Sequence, residues 1–479
     1  MMHDPTQHIH ALFQTFSEQT ITHIDKLPQS GSDRRYFRVH VTPADASGKN
    51  TFIVAYSQHT EENNNFIRYA AFFKSHGIRV PEVLAVSDNQ QWYVQEDLGY
   101  TSLLDILLQQ GFTENVYRLY EQALSQLAKM QVAGKVLTDS NAPVFDQQAI
   151  LHDLLYFKFY FADVHPISYD KSALFQELQK LASETAALLP KYFMFRDFQS
   201  RNIMVHQNEV YFIDFQGAMQ GHPAYDSASL LYQAKASLPD DWKEKLFKHY
   251  LSCFQQHAPV HNTTFTQAYR SMVFIRMLQT LGAYGFRGLI EKKAHFISSI
   301  APALNQLREA LPAYQLQHYP ELKKVLQALT GEDVLKKYKV VQAKEDTPLV
   351  VHINSFSFIK RGYPAAESDN GGGYVFDCRG ILNPGRLEEF KTQTGRDPGV
   401  IDFLESQTRM KDFLQHVYNV VDITVENYIE RGFDHLTVNF GCTGGQHRSV
   451  YAADALSKHL RDKYNVPTIV HHLEQSFNA

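Results

Sequence analysis

Hydrophobic positions fall into three patterns along the chain. Between Ile21 and Gly99, short β-branched and aromatic runs alternate with turns, as in Tyr36–Val41, Thr51–Ala55 and Gln91–Val94. A helical spacing over Asn65–Ser75 sits among them, which predicts a small sheet with one packed helix. From Thr101 to Leu329 the apolar residues recur at helical spacing, most clearly in Leu119–Met130, Ala149–Phe161 and Leu174–Leu188. Inside this helical region Tyr192–Gly217 reads as short strands and loops. The stretch Thr330–Pro348 is charged and weakly apolar; it reads as an interdomain linker or as a solvated helix face. Beyond Pro348, four short apolar runs predict buried strands: Leu349–Ile353, Tyr374–Asp377, Leu436–Phe440 and Thr468–His471. Between the middle two, Met410, Phe413, Leu414, Val417, Val421, Val425 and Tyr428 mark a helix. Strands alternating with helices predict an α/β layer with a largely parallel sheet.

Composition narrows the setting. The chain has 479 residues, 44 % hydrophobic and 20 % charged, with a formal net charge of −5. Those values describe a folded chain of more than one domain and argue against charge-driven nucleic-acid binding. Three cysteines, Cys253, Cys378 and Cys442, cannot close a disulfide set and lack the spacing of a zinc site. They point to a reducing compartment. Met1–His10 has no signal-peptide pattern. The most apolar stretch, Ser271–Phe286, is broken by Arg276 and Gln279 and is too short to span a bilayer. A cytoplasmic, membrane-free protein is expected. His471 and His472 read as ordinary strand-end histidines.

The first chemical constellation is Phe195-Arg196-Asp197-Phe198-Gln199-Ser200-Arg201-Asn202, followed by an apolar strand, Val210–Ile213, that ends at Asp214-Phe215. An Asp and an Asn five positions apart, then a strand and a second Asp, is the order phosphoryl transfer uses. One carboxylate orients the acceptor hydroxyl, while the amide and the later carboxylate hold a divalent cation on the nucleotide. As plain structure, Asp197 and Asn202 would be turn formers and Asp214 a helix cap.

These residues resemble the aminoglycoside-phosphotransferase-like kinases. With Ser30–Arg38, Val80–Leu84 and Glu96–Gly99, the likeness narrows to anomeric sugar kinases acting on N-acetylmuramate and N-acetylglucosamine, over most of residues 15–330. The resemblance implies a bilobal α+β protein-kinase-like domain using ATP and Mg²⁺. Asp197 would be the catalytic base, Asn202 and Asp214 the metal ligands, and Glu96–Leu98 the hinge facing the adenine. Asp226 would be a supporting acid. Three departures stand out. Phe195 and Gln216 replace the usual His and Gly, and Thr51–Tyr56 lacks the strand Lys of kinases, as that subgroup also tends to. The Ser30–Asp33 loop, Ser32 included, would then cover the phosphates, with Arg34 or Arg35 supplying the missing charge; alternatively these are solvated strand arginines.

The second constellation is Gly441-Cys442-Thr443-Gly444-Gly445-Gln446-His447-Arg448-Ser449, between a strand and an apolar helix. A small-residue loop at a helix N-terminus directs backbone N–H groups at an anion. Arg448 adds a fork for phosphate. The Cys442-to-Arg448 spacing also matches the cysteine-phosphatase loop, with no general acid identifiable. The loop more closely resembles the C-terminal domain of the RNase adapter protein RapZ. Ser355–Phe358, Gly362–Pro364, Val375–Arg379, Asn383-Pro384 and Thr394-Gly395 agree with it across about 349–475. That resemblance implies a site for glucosamine-6-phosphate, with Thr443, Gly444, Gly445, His447 and Arg448 at the phosphate. Gly385, Arg386 and Gln446 depart from the family, and its nucleotide-binding N-terminal domain is absent.

The sequence therefore predicts a kinase-like domain over residues 1–335 (lobes at about 15–98 and 99–330), a linker over 336–347, and a sugar-phosphate domain over 348–479. The expected activity is ATP-dependent phosphorylation of an amino sugar in cell-wall recycling. A sugar-1-phosphate nucleotidyltransferase would act next, and homo-oligomerisation is left open. The rival readings are a pseudokinase–sensor scaffold, a kinase joined to a cysteine-dependent phosphatase, and a drug-modifying aminoglycoside kinase.

Overall fold

The computed structural model describes residues 5–27, 34–42, 50–138, 142–338, 341–344, 346–364 and 373–475. The chain divides into two compact units, Met1–Tyr338 and Lys339–Ala479.

The first unit opens with a helix, Pro5–Phe13, and five antiparallel strands: β1 (Thr20–Lys26), β2 (Arg35–Thr42), β3 (Thr51–Tyr56), β4 (Val83–Val86) and β5 (Trp92–Glu96), in the order β1-β2-β3-β5-β4. Side chains alternate across this sheet. Phe37, Val39, Phe52, Val54, Trp92 and Val94 pack with Ile9, Leu12 and Phe13 of the first helix. Ala55 and Tyr93 join Phe66, Tyr69 and Phe73 of the helix Thr60–Ser75 in the main core. Strand β3 is thus covered on both faces, which is why its sequence is a continuous apolar run. The helix begins five residues before the expected Asn65, because its first turn is polar and carries Glu61 and Glu62.

After β5 the chain crosses to a helical lobe. Its first helix, Leu103–Gln110, is fixed by a capping box in which Ser102 and Asp105 bond each other's backbone N–H groups. Two hairpin-scale sheets interrupt the helices: β6 (Tyr192–Met194) pairs with β9 (Met219–Gly221), and β7 (Ile203–His206) with β8 (Glu209–Phe212). Within the charged stretch 330–348, residues Glu332–Tyr338 form a helix. Val334 and Leu335 are buried in the first unit's core, so this charged stretch has an apolar side that holds it there.

The second unit is a four-stranded parallel sheet: β10 (Val350–Ser357), β11 (Gly373–Asp377), β12 (His435–Cys442) and β13 (Thr468–His472), in the order β11-β12-β10-β13. Helix Met410–Arg431 buries Met410, Leu414, Val417, Val421 and Val425, and helix Arg448–Tyr464 buries Val450, Ala453, Leu456 and Leu460. The carboxyl ends of β10, β11 and β12 bring Ser357, Asp377 and Cys442 to one edge, where open α/β sheets place ligands. Among the described residues no helix is long and apolar enough to cross a membrane.

Candidate active site and phosphate loop

Asp197, Asn202 and Asp214 converge. Asn202 Nδ2 donates to the Asp197 carbonyl at 2.9 Å, to Asp197 Oδ2 at 3.3 Å and to Asp214 Oδ2 at 3.4 Å. The single turn Ser200–Asn202 joins the Asp197 loop to β7, and Asp214 follows the end of β8. Arg196 and Asp214 hold left-handed backbone, with φ of 79° and 69°. Such conformations cost of order 1–3 kcal/mol each and persist where the surroundings over-determine them. Here Asp226, fully buried, accepts from the N–H groups of Phe195 and Arg196 at 2.8 and 2.9 Å and from Gln131 Nε2 at 2.8 Å. Burial pushes its carboxyl up to about 6. Arg196 in turn grips both oxygens of Asp153 at 2.8 Å and bonds the Tyr225 hydroxyl. Phe195, in place of the usual His, packs edge-on to Phe198, Phe212 and Phe215. The peptide that presents Asp197 is therefore held from below by ions and from the side by rings.

Asp214 is half-buried. Burial first, and then the facing Asp197 carboxylate, push its pKa up, while Gln216, Arg34 and Arg201 act the other way. Gln216 Nε2 donates to Asp214 Oδ1 at 2.7 Å, and its own Oε1 is buried without a partner. Two facing acids, a side-chain amide and an orphaned oxygen form a donor set suited to a hard cation. Among the described residues no three His, Cys, Asp or Glu side chains could hold a metal by themselves.

Arg34 decides between the two sequence readings of that segment. It is 4 % exposed, so it is not a solvated strand residue. Its guanidinium donates to the Tyr93 hydroxyl at 2.9 Å and to Glu62 at 3.2 Å. It also acts electrostatically on Asp214. Arg34, just before β2, and Glu62 on helix Thr60–Ser75 thus form a cation–carboxylate pair. Glu62 escaped the sequence reading because it lies in the polar first turn. Ser32, with the rest of the 28–33 loop, lies outside the described residues.

At the hinge, β5 ends at Glu96 and Leu98 is buried. Between them Asp97 is held by Arg38 of β2 through two bonds of 2.6 and 2.9 Å, and Arg38 also reaches the Gly99 carbonyl. Its guanidinium lies 3.4 Å from the centre of the Tyr100 ring.

Two further arginines flank Asp197. Arg201 Nη2 lies 3.2 Å from Oδ2, and Arg276 Nη2 lies 3.8 Å from Oδ1. Arg276 is buried on helix Asn262–Tyr284, where it also bonds Gln279. Lys235 lies near Arg201; burial and that neighbour together lower its pKa. No motif marked Arg276 or Lys235. In sequence Arg276 only interrupts an apolar run.

In the second unit the loop after β12 is anchored by Ser357 Oγ, which donates to the Thr443 carbonyl at 2.6 Å. Gly445 takes φ 69°, and a Cβ there would strike Glu474 and the Ser357 amide. Thr443 and Gly444 are exposed at the loop's mouth. Arg448 Nη2 reaches back to Thr443 Oγ1 at 3.2 Å. Gln446 and His447 turn elsewhere. Gln446 Nε2 donates to the Lys391 and Gln393 carbonyls, and His447 Nε2 bonds the Phe390 carbonyl at 2.9 Å. Burial lowers the His447 pKa. Of the residues expected at the phosphate, His447 bonds the Phe390 carbonyl, whereas Arg448 reaches Thr443. His472 bonds Ser355 and Asp454, whereas His471 is exposed, so the two histidines form no pair.

Comparison with known proteins matches a different family within each unit. The phosphotransferase enzyme family matches residues 25–260, and the RapZ C-terminal domain matches residues 349–476. A nucleotide-binding protein of Fervidobacterium nodosum is 30 % identical over 192 residues, 38 % of this chain and 66 % of that protein. One from Cereibacter sphaeroides is 40 % identical over 116 residues, 24 % of this chain and 36 % of that protein. The chain thus spans less than two thirds of the length of these curated relatives. Among solved structures, amicoumacin kinase in complex with AMP-PNP, Ca²⁺ and Ami aligns at 13 % identity with a TM-score of 0.43, covering 70 % of this chain and 94 % of that one. Choline kinase from Cryptosporidium parvum aligns at 12 % identity with a TM-score of 0.44, covering 65 % and 98 %. Two different families are therefore matched, the phosphotransferase enzyme family within the first unit and the RapZ C-terminal domain within the second.

Proposed function

We propose that the first unit transfers the γ-phosphoryl group of ATP to the anomeric hydroxyl of N-acetylmuramate or N-acetylglucosamine. The observation that carries this reading is the convergence of Asp197, Asn202 and Asp214 within hydrogen-bonding distance. Asp197 would orient the acceptor hydroxyl and take its proton. Asn202 and Asp214 would hold Mg²⁺ against the phosphates, which neutralises charge on the transferring group. Arg34, fixed by Glu62, stands in for the missing strand Lys, and the Glu96–Leu98 hinge faces the adenine. Arg201 and Arg276 beside Asp197 favour an acidic acceptor. Of the two sugars, N-acetylmuramate carries a carboxylate.

In the second unit, Thr443, Gly444, Gly445 and Arg448 would hold an amino-sugar phosphate of the glucosamine-6-phosphate type, whose binding tunes the kinase. The sugar 1-phosphate would feed a nucleotidyltransferase in cell-wall recycling. The three free thiols suit a reducing, cytoplasmic setting.

The test is ATP turnover with Mg²⁺ against a panel of amino sugars, for wild type and Asp197→Ala. We expect sugar-dependent turnover, highest with N-acetylmuramate, that falls at least about a hundredfold in the variant. A folded protein that turns over ATP with no sugar would move the function to a scaffold role.

A further inference from the structure

The loop after β12 holds a thiol in a setting that sugar-phosphate binding alone does not require. Cys442 Sγ lies 3.1 Å from Ser449 Oγ and accepts the Gly445 N–H at 3.2 Å. Burial opposes ionisation of this thiol. The Ser449 hydroxyl, the N–H groups of Ser449 and Gly445 and the Arg448 guanidinium outweigh it, so Cys442 sits below the ordinary thiol value. Cys378, also buried, moves the opposite way, so the environment is particular to Cys442.

Arg448 supplies an independent observation. It is 3 % exposed. Its Nη1 is anchored outside the loop, on the carbonyls of Arg379 and Ile381 at 3.2 and 2.7 Å. Nη2 faces back across the loop to Thr443, and Nε is buried with no partner. The Nε–Nη2 edge of a guanidinium is a ready-made fork for two phosphate oxygens. An unsatisfied buried donor on that edge costs stability unless a ligand fills it.

We infer that the Cys442–Ser449 loop cleaves phosphomonoesters of the sugar-phosphate class, with Cys442 as nucleophile and Arg448 as the phosphate fork. The thiolate forms an S–P bond as the P–O bond to the sugar breaks, and the leaving oxygen takes a proton from water. A second water then breaks the S–P bond, releasing inorganic phosphate and a proton and restoring the thiolate. Backbone N–H groups at the N-terminus of helix Arg448–Tyr464 stabilise the charge that grows on the phosphoryl oxygens. Ser449 is a positioning residue that acts through the thiol. The inference rests on the reading that this loop holds a sugar phosphate.

The test uses the full chain without ATP, on p-nitrophenyl phosphate and on glucosamine-6-phosphate. Phosphate release should fall at least about a thousandfold in Cys442→Ser. A denaturing quench followed by mass spectrometry should find one phosphoryl group on Cys442. Ser449→Ala should move the pH–rate profile upward, because the thiol loses a donor. Calorimetric binding of glucosamine-6-phosphate to Cys442→Ser shows that its loop is intact. Binding with no Cys442-dependent release and no adduct overturns the cleavage and leaves the binding reading standing. Absence of both binding and release overturns the two together.

Discussion

A buried guanidinium whose carboxylate partner is half exposed gains little from that ion pair, since solvent screens it. Arg34 therefore makes more sense as a positioned charge than as a stabilising one. On the proposed reading, Arg34→Met should raise the KM for ATP at least about tenfold, roughly 1.4 kcal/mol of nucleotide binding. Glu62→Gln should do part of the same while changing the unfolding midpoint little, because Glu62 is exposed enough to be replaced cheaply. Equal loss of stability in both variants, with unchanged KM, would show the pair to be structural. His222 gives a residue-scale prediction of another kind. Burial, and then Lys191, hold its imidazole down to about 3. The unfolded chain titrates near 6.5, so it takes up a proton that the native state refuses. The stability tied to His222 is complete above pH 6.5 and is lost as pH falls toward 3. Urea unfolding across that window should lose stability less steeply in His222→Gln, by up to about 1.4 kcal/mol per pH unit.

At the scale of elements, β2 works through one face. Arg34, just before the strand, and Tyr36 and Arg38 within it alternate onto the side that meets the helix Thr60–Ser75 and the hinge. The Arg38–Asp97 pair is buried on both sides, at 3 % and 4 % side-chain exposure. Removing one partner of such a pair strands the other charge, at a cost of about 3–5 kcal/mol. Arg38→Met should show that loss in urea unfolding, and Arg38→Met combined with Asp97→Leu should recover much of it. A single-variant cost below about 1 kcal/mol would mean that the hinge is held by packing instead. Sequence periodicity served this lobe unevenly. The buried strand β3 and the convergence of Asp197, Asn202 and Asp214 were legible because their apolar runs and Asp/Asn spacing are local. Glu62, Arg276 and Gln131 were not. Each reaches the site from a distant helix, and no local pattern distinguishes a helix residue that points at Asp197 or Asp226 from one that points at solvent. The charged stretch read as either linker or solvated helix; over 332–338 it is a helix whose charge dominates the composition while only Val334 and Leu335 carry the burial.

At the scale of the whole molecule, each unit has a buried apolar core of its own. Independent cores predict separate unfolding transitions. A ligand raises only the transition of the native unit it binds, by about 2.7 kcal/mol at a hundredfold excess over Kd. Calorimetric scans should therefore assign the sites: Mg²⁺ with a non-hydrolysable ATP analogue should raise one transition, and glucosamine-6-phosphate the other. The proposed feedback demands more than two occupied sites. Coupling between binding events is reciprocal, so a sugar phosphate that alters nucleotide affinity must have its own affinity altered by the same factor. About 1 kcal/mol of coupling would change that affinity roughly fivefold. Titration of glucosamine-6-phosphate into protein with and without the bound ATP analogue measures this directly, independently of turnover at either site. The expected result is a change of that size. Equal affinities in the two titrations would leave both sites in place and remove the communication between them, reducing the fusion to two activities that share a chain.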